Sequence, residues 1–381
     1  MIETRVGGTV DSRFEPVREA FAANFERFDE VGAAVCVYVE DRKVIDLWGG
    51  TTARDGSDPY SADTLQLVWS CTKGITAIAA HILAQEGRLD FDAPVVRYWP
   101  EFGAAGKDEI PVRWLFSHKA GLAALERPIV LDDVLRWTPA VEALAAQKPL
   151  WEPGSAHGYH TYTFGWLAGE VIRRITGTTV GRFVADRITS PLGAEFWIGL
   201  PETENARVAP VIPASPPAPG AEPDPLLRRA MDPTRSRFGR SRRSRPPSST
   251  CIRSVPLSCR PATGSAPPAL SLGSTRPASA RSTACASSTQ TRIAGATITQ
   301  AHGEDLVLVY ETRYGIGFQL PHPFRPMAGE GSFGHYGSGG SVGFANPGLG
   351  LSFGYVMNRM GPVYGADPRT RNLVDALLGS L

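Results

Sequence analysis

The sequence predicts a fold of the α/β (α+β) class with two lobes: an antiparallel sheet flanked by helices, and a mainly helical lobe. Apolar and other residues alternate in segments 32–50 and 341–358, as they do in strands with one buried face. Between these segments, residues 112–193 consist mainly of loops and of apolar residues at helical spacing. Strands at both ends with helices between them indicate one sheet built from both ends of the chain.

The first strand pair is predicted in GAAVCVYVEDRKVIDLWGG, with a turn at Asp41-Arg42. The second pair, SVGFANPGLGLSFGYVMN, has an Asn-Pro-Gly turn in its middle and is followed by an amphipathic helix, RTRNLVDALLGSL. A further helix is predicted directly after Ser70, because apolar residues recur there every three or four positions up to Gly87, a residue typical of helix C-termini.

These patterns divide the chain into three parts. Residues 1–95 and 304–381 are expected to form the sheet lobe, and residues 96–232 the mainly helical lobe. Residues 233–303 form a segment rich in Arg, Ser and Pro that fits neither lobe.

The segment 233–303 contains eleven arginines and no Asp, Glu or Lys, whereas the whole chain has a formal net charge of +1. It shows neither helical nor alternating periodicity, and its composition is typical of chains that do not order themselves. We interpret it as disordered or as read out of frame. Two other hypotheses are an inert linker and a basic arm that binds nucleic acid or an acidic partner.

The composition of the 381-residue chain, 42% hydrophobic and 20% charged, is that of a globular protein. Its longest apolar runs are shorter than the roughly 20 residues that span a bilayer, and its first residues do not resemble a secretory signal. We therefore expect a cytoplasmic protein without a membrane partner. Five cysteines without CxxC spacing indicate reduced thiols. The regions outside 233–303 contain no glycine-rich phosphate loop after a strand, so no nucleotide cofactor is expected.

The segment LVWSCTKGIT places Ser70 and Lys73 one helical turn apart, close enough for a hydrogen bond. A lysine can activate a serine hydroxyl only when its amine is neutral. Lowering a lysine pKa from about 10.4 to about 7.5 requires roughly 4 kcal/mol, whereas an exposed helix terminus contributes about 0.3–1 kcal/mol. A reactive pair therefore requires a buried cleft or a second cation. The alternative is that Ser70 only caps the helix and Lys73 extends into solvent.

The motif SCTKG, followed by IPVRWLFSHKAGL, resembles the serine β-lactamase and penicillin-binding-protein group. The sequence is most similar to the family VIII carboxylesterases and the class C β-lactamases of that group. The resemblance covers about residues 5–215 and 304–381. It implies a β-lactamase/transpeptidase-like fold and hydrolysis through an acylated serine.

By this resemblance, Ser70 is the nucleophile and Lys73 its proton partner. The second motif of the group is Tyr-x-Asn after a Pro-Gly. Here it corresponds to Tyr159 and Thr161 in WEPGSAHGYHTYTF, so Tyr159 would be the general base and later the acid, with Thr161 in the place of asparagine. Tyr162 is an alternative for the base.

The third motif of the group, Lys-Thr-Gly on the strand that lines the site, corresponds to His335, Tyr336 and Gly337. In β-lactamases the lysine of this motif helps to hold the substrate carboxylate, so His335 argues against β-lactam turnover and favours esters. The backbone N–H groups of Ser70 and Ser338 would form the oxyanion hole.

Several other residues have competing interpretations. Ser341 lies in a G-x-S-x-G sequence, but the predicted strand after it does not fit the strand-turn-helix context of that motif. His157 and His160 form H-x-x-H without further ligands, so no metal is expected. His118 is interpreted as a hydrogen-bonded structural residue and Cys71 as a packing residue.

The sequence thus predicts a serine hydrolase without a cofactor: a carboxylesterase acting on small esters, with short acyl chains favoured. A β-lactamase or D-Ala-D-Ala carboxypeptidase is the alternative within enzymes. A non-catalytic binding protein with a basic arm is the alternative from another class, and binding of nucleic acid is not expected under the preferred hypothesis.

Overall fold

The computed structural model describes residues 6–53, 56, 58–126, 130–215, 293–361 and 367–381, and the backbone of Cys259–Arg260. The expectation for segment 233–303 therefore lies largely outside the described residues. Within the described ranges, none of the helices combines the length and apolar character needed to cross a bilayer.

Ten strands are present in the described residues: β1 Val6–Val10, β2 Gly32–Val39, β3 Arg42–Gly50, β4 Glu195–Phe196, β5 Cys259–Arg260, β6 Ala301–Glu304, β7 Glu311–Tyr314, β8 Phe333–Tyr336, β9 Val342–Asn346 and β10 Leu351–Met357. The main sheet is antiparallel and has the order β1-β3-β2-β10-β9-β8. Since β2 pairs with β10, the predicted sheet built from both ends of the chain is confirmed. The hairpin β6–β7 lies beside β8, through a bridge from Gln319 to Gly334.

The α-helices of the described residues include α1 Glu15–Arg27, α2 Cys71–Gln85, α3 Val112–Phe116, α4 Leu131–Leu135, α5 Thr138–Ala146, α6 Thr163–Thr176, α7 Val180–Val184, α8 Ser190–Leu192 and α9 Pro368–Leu378. Helices α3 to α8 confirm that residues 112–193 are mainly helical. Helix α9 confirms the predicted C-terminal amphipathic helix.

The β2–β3 hairpin confirms the first predicted strand pair, but its turn lies one residue earlier than expected. Glu40 and Asp41 both have positive φ angles, 49° and 63°, and Arg42 already belongs to β3. A two-residue hairpin loop of this kind requires positive φ at both central positions, which matches the twist of the flanking strands. Hydrophobic alternation alone does not locate such a loop to the residue.

The two faces of the sheet are covered by different helices. On one face, α1 and α9 pack against each other and against inward residues of β2, β3 and β10, including Val35, Ile45 and Phe353. On the other face, α2 packs against β8 and against α6 of the helical lobe. Helix α2 therefore lies between the sheet and the helical lobe, which explains why residues on several sides of it are buried.

A buried charged cluster joins α9 to the turn that follows β8. The Arg369 side chain is 1% exposed and forms ion pairs with Glu30 and Asp367. One of its terminal nitrogens also donates a hydrogen bond to the carbonyl oxygen of Gly339, at 2.9 Å, and Thr370 donates to the carbonyl oxygen of Gly340. The short helical turn Ser338–Gly340 is thus held in place by the first turn of α9.

We predict that replacing Arg369 by Met strongly destabilises the protein, because it leaves Glu30 and Asp367 buried without their cation. Breaking a buried pair in this way costs about 3–5 kcal/mol. Chemical unfolding measures the effect. Arg371→Gln is the matched control, since Arg371 forms an exposed pair with Asp375 in the same helix and should cost less than about 1 kcal/mol. Equal losses in the two variants would contradict a structural role for the cluster.

Candidate active site

The turn before α2 presents Ser70 at the start of the helix. Trp69 has a positive φ angle of 50°, a strained conformation for a residue with a side chain, and Thr72 stabilises it by donating a hydrogen bond to the Trp69 carbonyl oxygen at 2.6 Å. Ser70 is the N-cap residue, yet its side chain makes no capping hydrogen bond. The Ser70 hydroxyl is therefore available for another partner, which argues against a purely capping role.

That partner is Lys73. Its Nζ donates a hydrogen bond to Ser70 Oγ at 3.1 Å and a second one to the carbonyl oxygen of Thr161 at 2.8 Å. Lys73 is only 7% exposed, so it does not extend into solvent. Burial lowers the pKa of the Lys73 amine to about 7. Desolvation thus accounts for the lowered pKa that a reactive Ser70–Lys73 pair requires.

Tyr159 lies on the loop that precedes α6, on the other side of the lysine. The Lys73 Nζ lies 4.8 Å from the centre of the Tyr159 ring. Burial raises the pKa of the Tyr159 hydroxyl, and a hydrogen bond with the Ser70 side chain opposes this increase. Burial therefore favours the protonated form of Tyr159, whose hydroxyl is hydrogen-bonded to the Ser70 side chain.

Asp305 holds the Tyr159 loop against the β6–β7 hairpin. The carboxylate of Asp305 is fully buried and accepts a hydrogen bond from the Tyr159 backbone N–H at 3.0 Å. The same oxygen accepts the N–H groups of Val307 and Leu308. Burial raises the pKa of Asp305 to about 6, and these hydrogen bonds oppose that increase. The position of the tyrosine thus depends on a residue almost 150 positions away in sequence.

Thr161 and Tyr162, which lie two and three residues after Tyr159, differ in their placement. Thr161 contributes its backbone carbonyl oxygen to Lys73, so the replacement of asparagine by threonine does not remove this contact. The side chain of Tyr162 is 76% exposed. The geometry therefore favours Tyr159 over Tyr162 as the tyrosine that acts on Ser70.

The third motif is divided between two environments. Tyr336 lies among the core residues packed with β9 and β10, and its hydroxyl accepts a hydrogen bond from the Met327 N–H. Because neighbouring side chains on a strand face opposite sides, His335 points the other way, towards the Tyr159 ring at 6.1 Å between ring centres. The Tyr336 hydroxyl is thus used in the core, and the expectation that Tyr336 belongs to the substrate-binding strand stays a prediction.

Gly337 and Ser338 bring the end of β8 close to the Ser70 turn. A Cβ atom at Gly337 would overlap the carbonyl oxygen of Val68 and the Ser341 hydroxyl, so only glycine fits there. Ser338 follows as the exposed first residue of a turn whose other two residues, Gly339 and Gly340, are buried. No hydrogen bond from the N–H of Ser70 or Ser338 is found within the described residues, which leaves both amides free for a substrate oxygen.

The competing candidates have structural partners. Ser341 is fully buried, donates a hydrogen bond to the Val68 carbonyl oxygen, and is followed by strand β9 rather than by a helix. His157 is hydrogen-bonded to Thr312, and His160 to the Gly158 carbonyl oxygen and the Leu122 N–H. In the described ranges, no three His, Cys, Asp or Glu side chains are grouped as they would be around a metal ion.

His118 and Cys71 also fit the structural roles expected of them. The Nδ1 atom of His118 accepts a hydrogen bond from the His160 N–H, and the His118 ring contacts Tyr159. The Cys71 thiol points to the carbonyl oxygen of His335, and burial raises its pKa to about 12. Neither group is suited to act as a nucleophile or a base at neutral pH.

Sequence reasoning missed three residues around this site: Asp305, which fixes Tyr159, Arg369, which fixes the turn after β8, and Arg325. The charge of Arg325 acts on Tyr159, His335 and Tyr314, although its guanidinium forms no ion pair within the described ranges. These residues lack a motif. The sequence offered only a weak indication of their roles, namely that each is a charged residue with apolar neighbours in the last part of the chain.

Solved structures similar to this chain share its fold over nearly the whole length. A penicillin-binding protein homologue from Caulobacter crescentus is 35% identical with a TM-score of 0.82, and the match covers 99% of this chain and 100% of that one. A family VIII carboxylesterase is 31% identical with a TM-score of 0.78, over 99% and 100% of the two chains. EstA from Arthrobacter nitroguajacolicus is 30% identical with a TM-score of 0.75, over 98% and 97%.

Among curated proteins, the esterase/β-lactamase LipL of Mycobacterium tuberculosis is 39% identical over 55% of this chain and 48% of its own length. Esterase EstB of Burkholderia gladioli is 32% identical over 38% of this chain and 41% of its own length. The chain thus spans about half, or less, of the curated relatives it matches. Residues 21–378 match the Beta-lactamase family, and the chain belongs to this family of serine hydrolases.

Proposed function

We propose that this protein is a carboxylesterase that hydrolyses small esters through an acyl-enzyme on Ser70. The observation that carries the proposal is the Lys73 amine, which is buried, 3.1 Å from Ser70 Oγ, and has its pKa lowered to about 7. Support also comes from the similar family VIII carboxylesterase and from the esterases among the relatives. The small-molecule ester is the only partner that this chemistry requires.

The pKa directions divide the proton transfers between Lys73 and Tyr159. The neutral Lys73 amine accepts the Ser70 proton as Oγ attacks the ester carbonyl carbon. The Tyr159 hydroxyl then donates its proton to the leaving alkoxide, and the Lys73 ammonium returns a proton to the Tyr159 oxygen. This order differs from the expectation that Tyr159 acts first as the base, because burial keeps its hydroxyl protonated.

The remaining steps use the same groups. The N–H groups of Ser70 and Ser338 stabilise the negative charge on the carbonyl oxygen in each tetrahedral intermediate, at about 3–4 kcal/mol for a donor that behaves like measured cases. Water then attacks the acyl-enzyme, its proton passes to the Lys73 and Tyr159 pair, and Ser70 Oγ recovers a proton as the acid leaves. One ester and one water give one acid and one alcohol.

The neutral His335 favours an ester over a β-lactam as substrate. Burial and the neighbouring Lys73 hold the pKa of His335 well below its usual range, so its ring is uncharged at neutral pH. A neutral imidazole does not replace the cation that the β-lactamases of the group use to hold a substrate carboxylate. An ester without a carboxylate does not need this cation for binding.

Hydrolysis of p-nitrophenyl acetate and butyrate tests the proposal. Ser70→Ala should lower kcat by about 10³-fold or more, since it removes the nucleophile. Ser341→Ala is the matched control: it removes a buried hydroxyl directly before β9 and should lower kcat less than about tenfold. If Ser341→Ala alone abolishes activity, the assignment of the nucleophile is wrong. If nitrocefin is turned over much faster than either ester, the substrate class is wrong.

We predict that kcat/KM for p-nitrophenyl acetate falls below pH 7, about tenfold per pH unit, because Lys73 becomes protonated there and loses its capacity to accept the Ser70 proton. Lys73→Arg should lower kcat by about 10²–10⁴-fold at every pH, because arginine stays protonated. Lys148→Arg, at an exposed position, is the control and should keep the wild-type profile. A rate that stays constant from pH 8 to pH 5 would exclude Lys73 as the base.

A further inference from the structure

Three consecutive backbone N–H groups around Tyr159 each have a fixed acceptor. The Tyr159 N–H donates to Asp305 Oδ1 at 3.0 Å. The Gly158 N–H donates to the carbonyl oxygen of His118 at 3.0 Å, and the His160 N–H donates to His118 Nδ1 at 3.2 Å. His118 therefore holds the residue before the tyrosine with its backbone and the residue after it with its ring.

The ring of His118 also packs against the Tyr159 ring. Their centres lie 4.9 Å apart, with 66° between the ring planes, and the His118 side chain is buried. The Tyr314 ring lies 4.6 Å from the His118 ring and is nearly parallel to the Tyr159 ring, with 6.2 Å between the two tyrosine centres. The imidazole thus contacts both tyrosine rings and restricts how the Tyr159 ring can turn.

The backbone of His118 is in a conformation that favours glycine. His118 follows Ser117, the C-terminal cap of α3, and has a φ angle of 62°. The next residue, Lys119, donates its N–H to the carbonyl oxygen of Trp114 at 2.9 Å, which closes the helix in a motif that usually has glycine at the position of His118. Strained residues of this kind cost free energy and are concentrated at functional sites. A histidine at this position indicates that its side chain has a function that glycine could not provide.

That function is not proton exchange. Because His118 Nδ1 accepts the His160 N–H, this nitrogen carries no proton, and the proton of the neutral ring lies on Nε2. Burial, together with the neighbouring His160 and Lys73, holds the pKa of His118 well below its usual range. At neutral pH the ring is therefore a fixed hydrogen-bond acceptor for the loop that carries Tyr159.

The step that depends most on the placement of Tyr159 is the departure of the alcohol. In the proposed mechanism, the C–O bond of the tetrahedral intermediate breaks and the alcohol oxygen keeps the bonding electron pair. This oxygen takes the Tyr159 hydroxyl proton, and the Lys73 ammonium supplies a proton to the Tyr159 oxygen. A p-nitrophenolate ion leaves readily without a proton, whereas ethoxide is a strong base and needs one. Esters of alkyl alcohols therefore depend on Tyr159 far more than p-nitrophenyl esters do.

We propose that His118 is a positioning residue of the reaction, which holds Tyr159 in place for proton donation to a basic alkoxide leaving group. The inference rests on the proposed esterase function. Asp305 fixes the Tyr159 N–H from the side of the β6–β7 hairpin, and His118 fixes both neighbouring residues from the end of α3. The tyrosine is thus held between the two lobes of the protein, and loss of the imidazole should slow alkyl esters selectively.

The test compares ethyl acetate with p-nitrophenyl acetate, which form the same acetyl-enzyme on Ser70 and differ only in the leaving group. Since deacylation is common to both, the ratio of their kcat/KM values reports on acylation. His118→Gly removes the imidazole but keeps the carbonyl acceptor and suits the left-handed backbone, so the end of α3 should form normally. In this variant kcat/KM should fall about 10–100-fold more for ethyl acetate than for p-nitrophenyl acetate, because a misplaced acid slows the step that needs it.

Two further variants separate positioning from a general effect on the fold. His118→Asn supplies an acceptor oxygen in place of Nδ1, and asparagine tolerates positive φ, so it should recover at least about threefold of the loss in ethyl acetate hydrolysis relative to His118→Gly. His81→Ala is the control: it removes another imidazole, which is hydrogen-bonded to the Ile316 carbonyl oxygen, and should keep the wild-type ratio. Both rates are measured in one preparation, so a smaller folded fraction does not change their ratio.

An equal loss on both esters in His118→Gly would overturn the inference, since His118 would then serve only the fold. A changed ratio in His81→Ala would also overturn it. Tyr159→Phe should shift the ratio in the same direction as His118→Gly and at least as strongly.

The same measurements distinguish failure of this inference from failure of the proposed function. If Tyr159→Phe shifts the ratio and His118→Gly does not, the positioning role is wrong and the esterase function stands. If Tyr159→Phe leaves the ratio unchanged, the acid role of Tyr159 and the inference both fail, although hydrolysis that depends on Ser70 would still support an esterase. If neither ester is hydrolysed in a manner that depends on Ser70, the proposed function fails, and the inference fails with it.

Discussion

The site depends on keeping one amine out of water. Holding the pKa of Lys73 near 7 instead of 10.5 corresponds to about 5 kcal/mol of differential stabilisation, which burial provides. This requirement explains why α2 lies between the sheet and the helical lobe instead of on the surface. It also explains why the ring of Phe164, from α6, lies 5.7 Å from the amine. In the proposed mechanism, the enclosure around Lys73 is what allows its amine to activate the Ser70 hydroxyl.

The enclosure is assembled from parts that are distant in sequence, and each part has its own anchor. Ser70 is placed by the strained turn at Trp69, and Tyr159 by the buried carboxylate of Asp305. The turn that follows β8 is placed by Arg369, which bonds to a carbonyl oxygen in that turn. Buried charges thus appear where a loop must be held accurately, whereas apolar packing forms the two cores.

Much of the fold was predictable because it depends on local periodicity. Alternation revealed the β2–β3 and β9–β10 hairpins, and helical spacing revealed α2 and the helical lobe. The pair of Ser70 and Lys73 was visible because both lie on one turn of one helix. Asp305 and Arg325 could not be found in the sequence, because their roles depend on how the β6–β7 hairpin and the loop before β8 pack against the Tyr159 loop. The third motif could be located in the sequence, but only the strand shows that the Tyr336 hydroxyl lies in the core while His335 faces Tyr159.

The pairing of β2 with β10 has a consequence for how the protein is made. Gly32 is hydrogen-bonded to Asn358, a residue 326 positions later, so β2 can pair with β10 only after the residues between the two strands have been synthesised. During that time β2 presents an open edge to other nascent chains, a known route to aggregation. Helix α2, which begins directly after Ser70, packs against β8, so it too gains this contact only once residues 333–336 have been synthesised. Both the open edge of β2 and the exposed side of α2 are therefore covered only by residues from the later part of the chain.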